Sequence, residues 1–401
     1  MSDHVRERVR EALRPLTLEQ DADGRPRIVP PDTAGVAAAL SLASTEGWRV
    51  RVEGRGGWEH PDAPADLVVS TAALDGIVKV SPGDLVATVE AGAAFGAVNR
   101  RLADEGVWLA WDPPGRAERS IGSVVATGTA GPLRHRFGPI RDHLLGCTVV
   151  TGDGRIVKPG GQVVKNVAGF DLTRFMAGSF GAFGIVTELH LRLRARPARD
   201  LTVIARGPRD TLTLTGRDLM AHGLDAVALE LLSPALAAGP EWVLALRLAG
   251  TEEGVHAEAK RIGTIAKLSW TELSADQGGA VWTGAAHGAL AGSITLRLGV
   301  LLEGLDDAID LVAEHLDAGL LSAGAGSGSI RWTGEATIER LRALRHAAAR
   351  REIPVTLERA PWQLRQAFGH FGAYREGVGG LVARLRTTFD PQGVLQVAVN
   401  G

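Results

Sequence analysis

The sequence predicts an α+β protein of two domains with a short C-terminal segment that returns to the first. Its 401 residues exceed what one hydrophobic core usually serves. Short strand-like runs alternate with helical patterns along the chain. A basic, proline-containing stretch at 192–199 interrupts them and marks a boundary. We therefore expect a first domain over 1–198, an α+β second domain over 199–379 and a returning segment over 380–401.

The first domain opens with a β-α-β unit. A strand at 27–30 leads into a helix that Thr33 can cap and Gly47 can end, and a strand at 48–53 follows. The other elements expected before the boundary are strands at 66–70, 76–81 and 85–92, a helix at 95–104, a hairpin at 142–157 with Asp153-Gly154 at its tip, and a strand at 185–193.

The second domain repeats the alternation of strands and helices. Asp390-Pro391 is expected to stop the last helix. The elements expected here are strands at 243–250 and 293–300, helices at 254–265 and 305–315, a flexible loop at 323–329, and a C-terminal helix that begins near Leu381.

Composition narrows the class of function. A net charge of −2 gives no reason to expect nucleic acid or an anionic membrane. Cys147, the one cysteine, cannot hold an iron–sulfur cluster or a Cys-rich zinc site, so no metal is expected. No apolar run approaches the roughly 20 residues that span a bilayer, and the N-terminus lacks a secretory h-region. The sequence predicts a cytoplasmic protein, with any membrane attachment made through partners.

Glycine-rich stretches carry the candidate chemistry. "GRGGW" at 54–58 follows a strand and offers free backbone N–H groups, which can bind phosphate, although an ordinary turn has the same composition. It matches neither a Walker A loop nor the G-x-G-x-x-G fingerprint. The run at 112–132 is rich in small residues, and Ser120 can cap a helix there. That helix suits either close helix packing or a flat ring lying against backbone.

The third stretch, "KNVAGFDLTRFMAGSFGAFGIVTE", ends in evenly spaced Gly178, Gly181 and Gly184. Taken together, these stretches resemble the vanillyl-alcohol-oxidase (PCMH-type) FAD-binding flavoproteins, and more narrowly the FAD-binding subunit of bacterial glycolate oxidase. The motifs concerned are "GGQVVKNVAGFDL", "GSFGAFGIVTE", "GTAGPLRHRFGPIRDHLLG" and "FDPQG". The similarity is dense over about 27–197 and thin beyond. It implies a PCMH-type FAD-binding domain of two α/β subdomains, followed by a cap or substrate domain.

The resemblance also implies roles for individual residues. Residues 53–58 would hold the FAD pyrophosphate, and residues 113–123 would line the flavin and its phosphates. Residues 127–134 would flank the ring, and the backbone at 181–186 would contact the adenine half and the ribitol. The residues implied to bind FAD are Glu53, Gly54, Arg55, Gly56, Gly57, Trp58, Pro113, Pro114, Ser120, Ile121, Gly122, Ser123, Thr127, Gly131, Arg134, Lys165, Asn166, Gly181, Gly184, Ile185 and Val186.

Two departures from the family pattern bear on the chemistry. Some relatives attach flavin covalently through a histidine in the phosphate loop, but Trp58 stands at that place here. We therefore predict non-covalent FAD, with nearby His60 as the alternative attachment point. The tail reads "LQVAVNG" where relatives continue with Asn-Pro-Gly, so a cofactor contact from the tail is not carried over.

Oxidation of a 2-hydroxy acid requires a cation for the carboxylate and a base for the hydroxyl proton. Candidates are Arg247 and Arg297 on predicted strands and His370 in a glycine-rich loop. A surface ion pair is the alternative for the arginines, and a structural role is the alternative for the histidine.

The His-rich motif of the catalytic-subunit relatives is missing. We therefore favour an FAD-binding subunit of a glycolate (2-hydroxy acid) oxidase complex, working with a catalytic FAD subunit and an iron–sulfur subunit. A stand-alone FAD-dependent 2-hydroxy-acid dehydrogenase and a non-catalytic scaffold are the alternatives.

Overall fold

The computed structural model describes residues 2–13, 16–58, 60, 62–161, 171–371 and 376–397. The expected α+β class is confirmed, because helices pack on sheets of four, five and eight strands. The helices are α1 (Ser2–Ala12), α2 (Thr33–Glu46), α3 (Phe95–Ala103), α4 (Ile121–Thr127), α5 (Arg134–Phe137), α6 (Leu172–Met176), α7 (Arg209–Ala221), α8 (Glu252–Ile265), α9 (Ala275–Gly288), α10 (Leu305–His315), α11 (Ile338–Ala349), α12 (Trp362–Phe368) and α13 (Val378–Phe389).

The strands fall into two groups along the chain. Those before residue 198 are β1 (Leu18–Gln20), β2 (Pro26–Ile28), β3 (Val50–Glu53), β4 (Leu67–Ser70), β5 (Ile77–Ser81), β6 (Val86–Glu90), β7 (Val107–Trp108), β8 (Leu144–Val150), β9 (Ile156–Val157), β10 (Ile185–Arg192) and β11 (Arg194–Ala195). Those after it are β12 (Arg199–Gly207), β13 (Ala228–Leu232), β14 (Trp242–Gly250), β15 (Trp270–Glu272), β16 (Ile294–Gly299), β17 (Leu320–Gly324), β18 (Ser329–Gly334) and β19 (Val355–Arg359).

The first sheet has the order β1-β2-β4-β3, with β2 and β3 both parallel to β4. Its crossover helix α2 begins after Asp32, whose carboxylate accepts a hydrogen bond from the Gly35 amide at 2.7 Å. The expected cap, Thr33, instead bonds the Thr187 hydroxyl at 2.9 Å. Gly47 ends the helix in the left-handed region with φ 69°, as predicted.

The second sheet has the order β5-β6-β10-β8-β9 and is antiparallel throughout. Strands β8 and β9 form the expected hairpin, and Gly154 in its turn has φ 86°. Helix α4 packs on this sheet through Val124 and Val125, which are fully buried. The last turn of α4 lies against the glycine loop that precedes β10, because the Gly178 amide donates to the Val125 carbonyl at 3.0 Å.

The eight-stranded sheet is antiparallel, with the order β15-β12-β14-β13-β17-β18-β16-β19. One face forms an apolar core with α7, α8, α10 and α11. Because side chains alternate along a strand, the opposite face carries Arg247, Glu230, Arg331, Arg297 and Glu358. This polar face is turned toward the first part of the chain, where the Arg331 guanidinium donates to the Ala130 carbonyl at 2.9 Å.

The C-terminal residues come back to the first sheet. After α13, the Asp390 carboxylate accepts hydrogen bonds from the amides of Val394 at 2.8 Å and Leu395 at 2.9 Å. The chain then runs beside β3, where the Val50 amide donates to the Val394 carbonyl at 2.8 Å. This return brings Gln396 to the site described below.

The division at 1–198, 199–379 and 380–401 stays a prediction. The Trp58 indole donates to the Glu358 carbonyl at 3.1 Å, and the Arg365 guanidinium donates to Asp62 at 2.8 Å, so the two parts are in direct contact. Within the described ranges, no helix is long and apolar enough to cross a bilayer. No group of three or more His, Cys, Asp or Glu residues in those ranges could hold a metal ion.

Candidate functional site

A cleft of about 1180 Å³, counted to its open mouth, lies where the two parts of the chain meet. Three segments far apart in sequence form its walls: the loop after β3, the start of α4 and the loop before β10. Most of the predicted cofactor residues line it, namely Glu53, Gly54, Arg55, Gly56, Gly57, Trp58, Ser120, Gly122, Ser123, Thr127, Gly181, Gly184, Ile185 and Val186.

The loop at 54–58 presents unused hydrogen-bond donors to the cleft. None of its five backbone amides donates to a protein acceptor among the described residues. Gly56 has φ 68°, and a Cβ at Gly54 would collide with Ser120 Oγ, so this path requires glycine at both positions. A concave run of free amides binds anionic oxygens well. The loop therefore fits a phosphate-bearing ligand.

The start of α4 forms the adjoining wall. The Ser120 hydroxyl caps the helix by accepting from the Ser123 amide at 3.3 Å, as predicted. Arg119, which the sequence reasoning missed, is buried beside it and donates to the Pro114 carbonyl at 2.6 Å and to Thr127 Oγ1 at 2.6 Å. Its guanidinium lies 4.3 Å from the centroid of the Trp58 ring. The only sequence clue was a single arginine at the N-terminal edge of a small-residue helix.

The loop before β10 contains Gly181 and Gly184, which have different surroundings. A Cβ at Gly184 would lie 2.5 Å from the Val150 carbonyl oxygen on β8. Gly181 has φ 80° with no close neighbour, and the Phe180 amide is bonded to the Ala126 carbonyl at 2.7 Å. The two glycines are therefore required for different reasons. Gly184 joins the loop to the sheet, whereas Gly181 shapes the cleft wall.

Two histidines reach the cleft in their neutral form. His370 Nδ1 lies 2.8 Å from the Leu357 carbonyl oxygen, and its ring stacks on Phe180 at 3.7 Å between centroids. Burial lowers the pKa of His370 to about 4. With Nδ1–H donating to that carbonyl, Nε2 is a hydrogen-bond acceptor at neutral pH. His60 Nε2 is held by the Ser293 carbonyl at 2.8 Å, and burial lowers its pKa as well.

Several predicted cofactor residues do not line this cleft. Pro113 and Pro114 are not among its lining residues, although the Pro114 carbonyl accepts a hydrogen bond from Arg119, which lies beside the cleft. Ile121 is buried in the core beneath α4, and a Cβ at Gly131 would collide with the Asp112 carbonyl. Arg134 lies in a separate groove, beside Arg297, Ser327 and Ser329. Lys165 and Asn166 fall outside the described residues.

The three predicted substrate residues are not brought together. Arg247 is held by Asp200 through bonds of 2.9 and 2.6 Å, whereas Arg297 is held by Glu358 at 2.9 Å. Four strand spacings separate β14 from β16, which is about 19 Å. The two arginines therefore cannot grip one small carboxylate jointly, and only His370 reaches the cleft.

Buried ionisable groups fill the rest of the interface between the two parts. Burial raises the pKa of Glu230 to about 8 and that of Asp112 to about 7. Burial also opposes ionisation of Glu358, but Arg331 at 2.8 Å and Arg297 outweigh it and lower the pKa of that carboxyl. Glu358 is thus a carboxylate shared by two guanidinium groups.

The fold and the cleft are those of an FAD-binding protein. Residues 26–160 match the sequence family described as FAD binding domain. The structure superimposes on alkyldihydroxyacetonephosphate synthase with a TM-score of 0.71 over all of this chain and 85% of that one, at 12% identity, which establishes the fold alone. The predicted PCMH-type fold and the FAD cofactor are confirmed, and the non-covalent mode of attachment stays a prediction.

Curated relatives include subunits of glycolate oxidase, to which this chain is similar. It is 33% identical over 208 residues to glycolate oxidase subunit GlcE of Escherichia coli, covering 50% of this chain and 56% of that subunit. It is 25% identical to glycolate oxidase subunit GlcD of Bacillus subtilis, covering 92% and 87%. The mitochondrial D-lactate dehydrogenase (cytochrome) of Arabidopsis thaliana matches 31% of the chain at 36% identity. The match thus spans about half the length of the E. coli subunit.

The residues of the cleft fit FAD. The free amides of the 54–58 loop suit its pyrophosphate, and the backbone around Gly181 leaves room beside Val397. Trp58, Phe180 and His370 offer flat surfaces for ring stacking. When bound, FAD supplies a two-electron acceptor for oxidation of a CH–OH group.

Proposed function

We propose that this chain is the FAD-binding subunit of a complex that oxidises a small 2-hydroxy acid, with glycolate to glyoxylate as the reaction. The observation that carries the proposal is the unbonded amide loop at 54–58, which opens into a cleft in a chain similar to glycolate oxidase subunits. The relatives named as D-lactate dehydrogenases support the wider substrate class.

The roles of the cleft residues follow from their chemistry. The amides of Gly54 to Trp58 hold phosphate oxygens, and the Ser120 cap fixes the adjoining wall of α4. Trp58 is buried and bonded to Glu358, so it closes the cleft against the eight-stranded sheet and excludes water. A tryptophan at position 58 cannot form the covalent link that a histidine would form there, which supports non-covalent binding of FAD.

A subunit role is favoured over a stand-alone dehydrogenase. A general base works best with a pKa near the working pH, and His370 falls well below it because its pKa is about 4. Cys147 is buried, and burial raises the pKa of its thiol to about 12, so it is a poor redox group. Electrons leaving this flavin would need a partner, for which we propose a catalytic FAD subunit and an iron–sulfur subunit. The assembly would be cytoplasmic, with any membrane association made through those partners.

The test uses the full-length chain purified with and without its native partners. We expect the isolated chain to carry stoichiometric FAD that is released by denaturation, and its visible flavin band to persist when glycolate or D-lactate is added without oxygen. We expect affinity purification from native cells to recover one flavin-containing and one cluster-containing companion.

Other outcomes select the alternatives. Rapid bleaching of the isolated chain by either acid would support the stand-alone dehydrogenase. A colourless chain that takes up no added FAD would support the scaffold and overturn the proposal.

A further inference from the structure

A second opening lies in the eight-stranded part of the protein, and it shares no lining residue with the FAD cleft. It is a groove of about 860 Å³, counted to its open mouth, between α9 and the strands β12, β13 and β14. Ile204, Leu232 and Val243 line it, and they belong to a small apolar cluster around Trp282 that is separate from the larger core on the other face of the sheet. Apolar walls and a volume of this size are usual for small-molecule sites.

Small residues on α9 keep the groove open. The helix is anchored on β12 by Trp282, whose indole donates to Thr202 Oγ1 at 2.9 Å. Ala280 and Gly284 lie one turn apart, line the groove and are exposed. Apart from the helix itself, no described residue has an atom within 4 Å of a Cβ placed at Gly284. The helix therefore leaves space above the apolar side chains of the sheet.

One cation lies at the edge of the groove. Among the described lining residues, only Arg206 and Gln277 have polar side chains, and none is acidic. The exposed Arg206 guanidinium lies beside Gly239, 3.6 Å from the position of a Cβ there, and makes no hydrogen bond or ion pair within the described ranges. Arg199 on the same strand is, by contrast, paired with Glu272 at 3.6 Å. The groove thus offers apolar contact along its walls and one uncompensated positive charge.

The polarity of the groove distinguishes between classes of ligand. A peptide would bring an N–H and a C=O with almost every residue, and burying these groups without partners is unfavourable. The backbones of β12 and β14 cannot supply partners, because each strand is already paired on both sides. An unbranched alkyl chain needs no hydrogen bonds, and a terminal carboxylate matches a guanidinium. A 2-hydroxy acid as small as glycolate has no apolar part to fill the groove.

We propose that this groove binds a free fatty acid of medium chain length, with the alkyl chain between α9 and the sheet and the carboxylate on Arg206. The site goes beyond the proposed oxidation of a 2-hydroxy acid and does not depend on it, since no residue that lines the FAD cleft takes part.

The test is isothermal titration calorimetry of octanoate into the FAD-loaded full-length chain. Octanoate should bind up to roughly tenfold more tightly than hexanoate, because the added methylene groups are buried. Octylammonium, which has the same chain and the opposite charge, should bind at least about fivefold more weakly than octanoate. Arg206→Gln should weaken octanoate binding roughly fivefold, and Arg199→Gln, the control on the same strand, less than about twofold.

Two glycine variants of α9 test the location of the alkyl chain. Gly284→Leu fills the groove and should abolish octanoate binding. Gly279→Leu is the matched control, because Gly279 is exposed on the same helix, does not line the groove and has no other described element within 4 Å of its Cβ position. Both variants gain similar helix propensity, so a difference between them reports on the groove. Flavin content should match wild type in both.

The possible failures are distinct. No octanoate binding to wild type, equal affinities for octanoate and octylammonium, or equal affinities in Gly284→Leu and Gly279→Leu would overturn the proposal. Loss of the companion chains from purified Gly284→Leu, with octanoate affinity unchanged, would assign the groove to a partner chain instead. If Gly284→Leu does not fold, Arg206→Gln against Arg199→Gln decides, and equal affinities there would contradict the carboxylate contact. If the wild-type chain takes up no FAD, the proposed function fails, and the same titrations on that chain still test the groove.

Discussion

Glu358→Gln should lower the stability of the fold, because it removes one buried negative charge. Glu358 is 1% exposed, and its carboxylate oxygens accept from Arg297 at 2.9 Å and Arg331 at 2.8 Å. Glutamine keeps the shape but leaves two partly buried cations with one neutral oxygen to share. Breaking a buried ion pair costs about 3–5 kcal/mol, and the retained oxygen places the loss near the lower end, about 3 kcal/mol. At about 2–4 °C per kcal/mol for a unit of this size, the melting temperature should fall by roughly 6–12 °C.

The pH dependence gives a second readout of the same change. The folded-state pKa of Glu358 is below its ordinary value of 4.5. Its stabilising effect is therefore fully present above pH 4.5 and is lost as the pH falls through the folded-state pKa. The difference between wild type and Glu358→Gln should be largest near pH 7 and should shrink on acidification below 4.5.

Differential scanning calorimetry across this pH range measures both effects. Glu272→Gln is the matched control, because Glu272 lies in the same sheet and makes only an exposed contact with Arg199 at 3.6 Å. Such pairs contribute about 0–1 kcal/mol. A Glu358→Gln transition within 2 °C of wild type at pH 7, or a deficit that stays constant down to pH 3, would refute the reasoning.

The remaining predictions concern the cleft and the polar face. Gly181→Val should reduce flavin content at 450 nm and lower the melting temperature, because valine is strained at φ 80°, whereas Gly184→Val should lower the melting temperature further, because it also displaces the Val150 carbonyl; an equal fall in melting temperature for the two variants would contradict the different roles of these glycines. Glu230→Gln should flatten stability between pH 5 and 8, since a carboxyl with pKa raised to about 8 makes wild type lose stability as pH rises through that window, and an unchanged slope would argue against a buried neutral Glu230. Arg247→Ala should leave glycolate affinity within about twofold, because Asp200 already holds that guanidinium, and a large loss would return Arg247 to the substrate site.

Local chemistry made the elements of this protein predictable. The Gly47 helix end, the Asp153-Gly154 hairpin and the Ser120 cap each depend on residues within a few positions of one another. The predicted cap of α2 was wrong by one residue, because Asp32 and Thr33 are both good capping residues. In the folded protein the Thr33 hydroxyl bonds Thr187, which is distant in sequence, and Asp32 caps the helix. Motifs likewise indicated which loops form the cleft.

Long-range geometry decided the rest. The sequence by itself determined the α+β class, the cofactor and the three loops that form the cleft, because turns, caps and glycine conformations are set by neighbouring residues. It could not determine that the candidate arginines are paired, since pairing with Asp200 or Glu358 depends on strands that meet only in the folded sheet. Nor could it place Arg119 against Trp58, or separate Gly181 from Gly184, whose difference lies in the distance to β8. Charge compensation and close packing are properties of the assembled structure, and they decided which of the candidate residues can still bind a ligand.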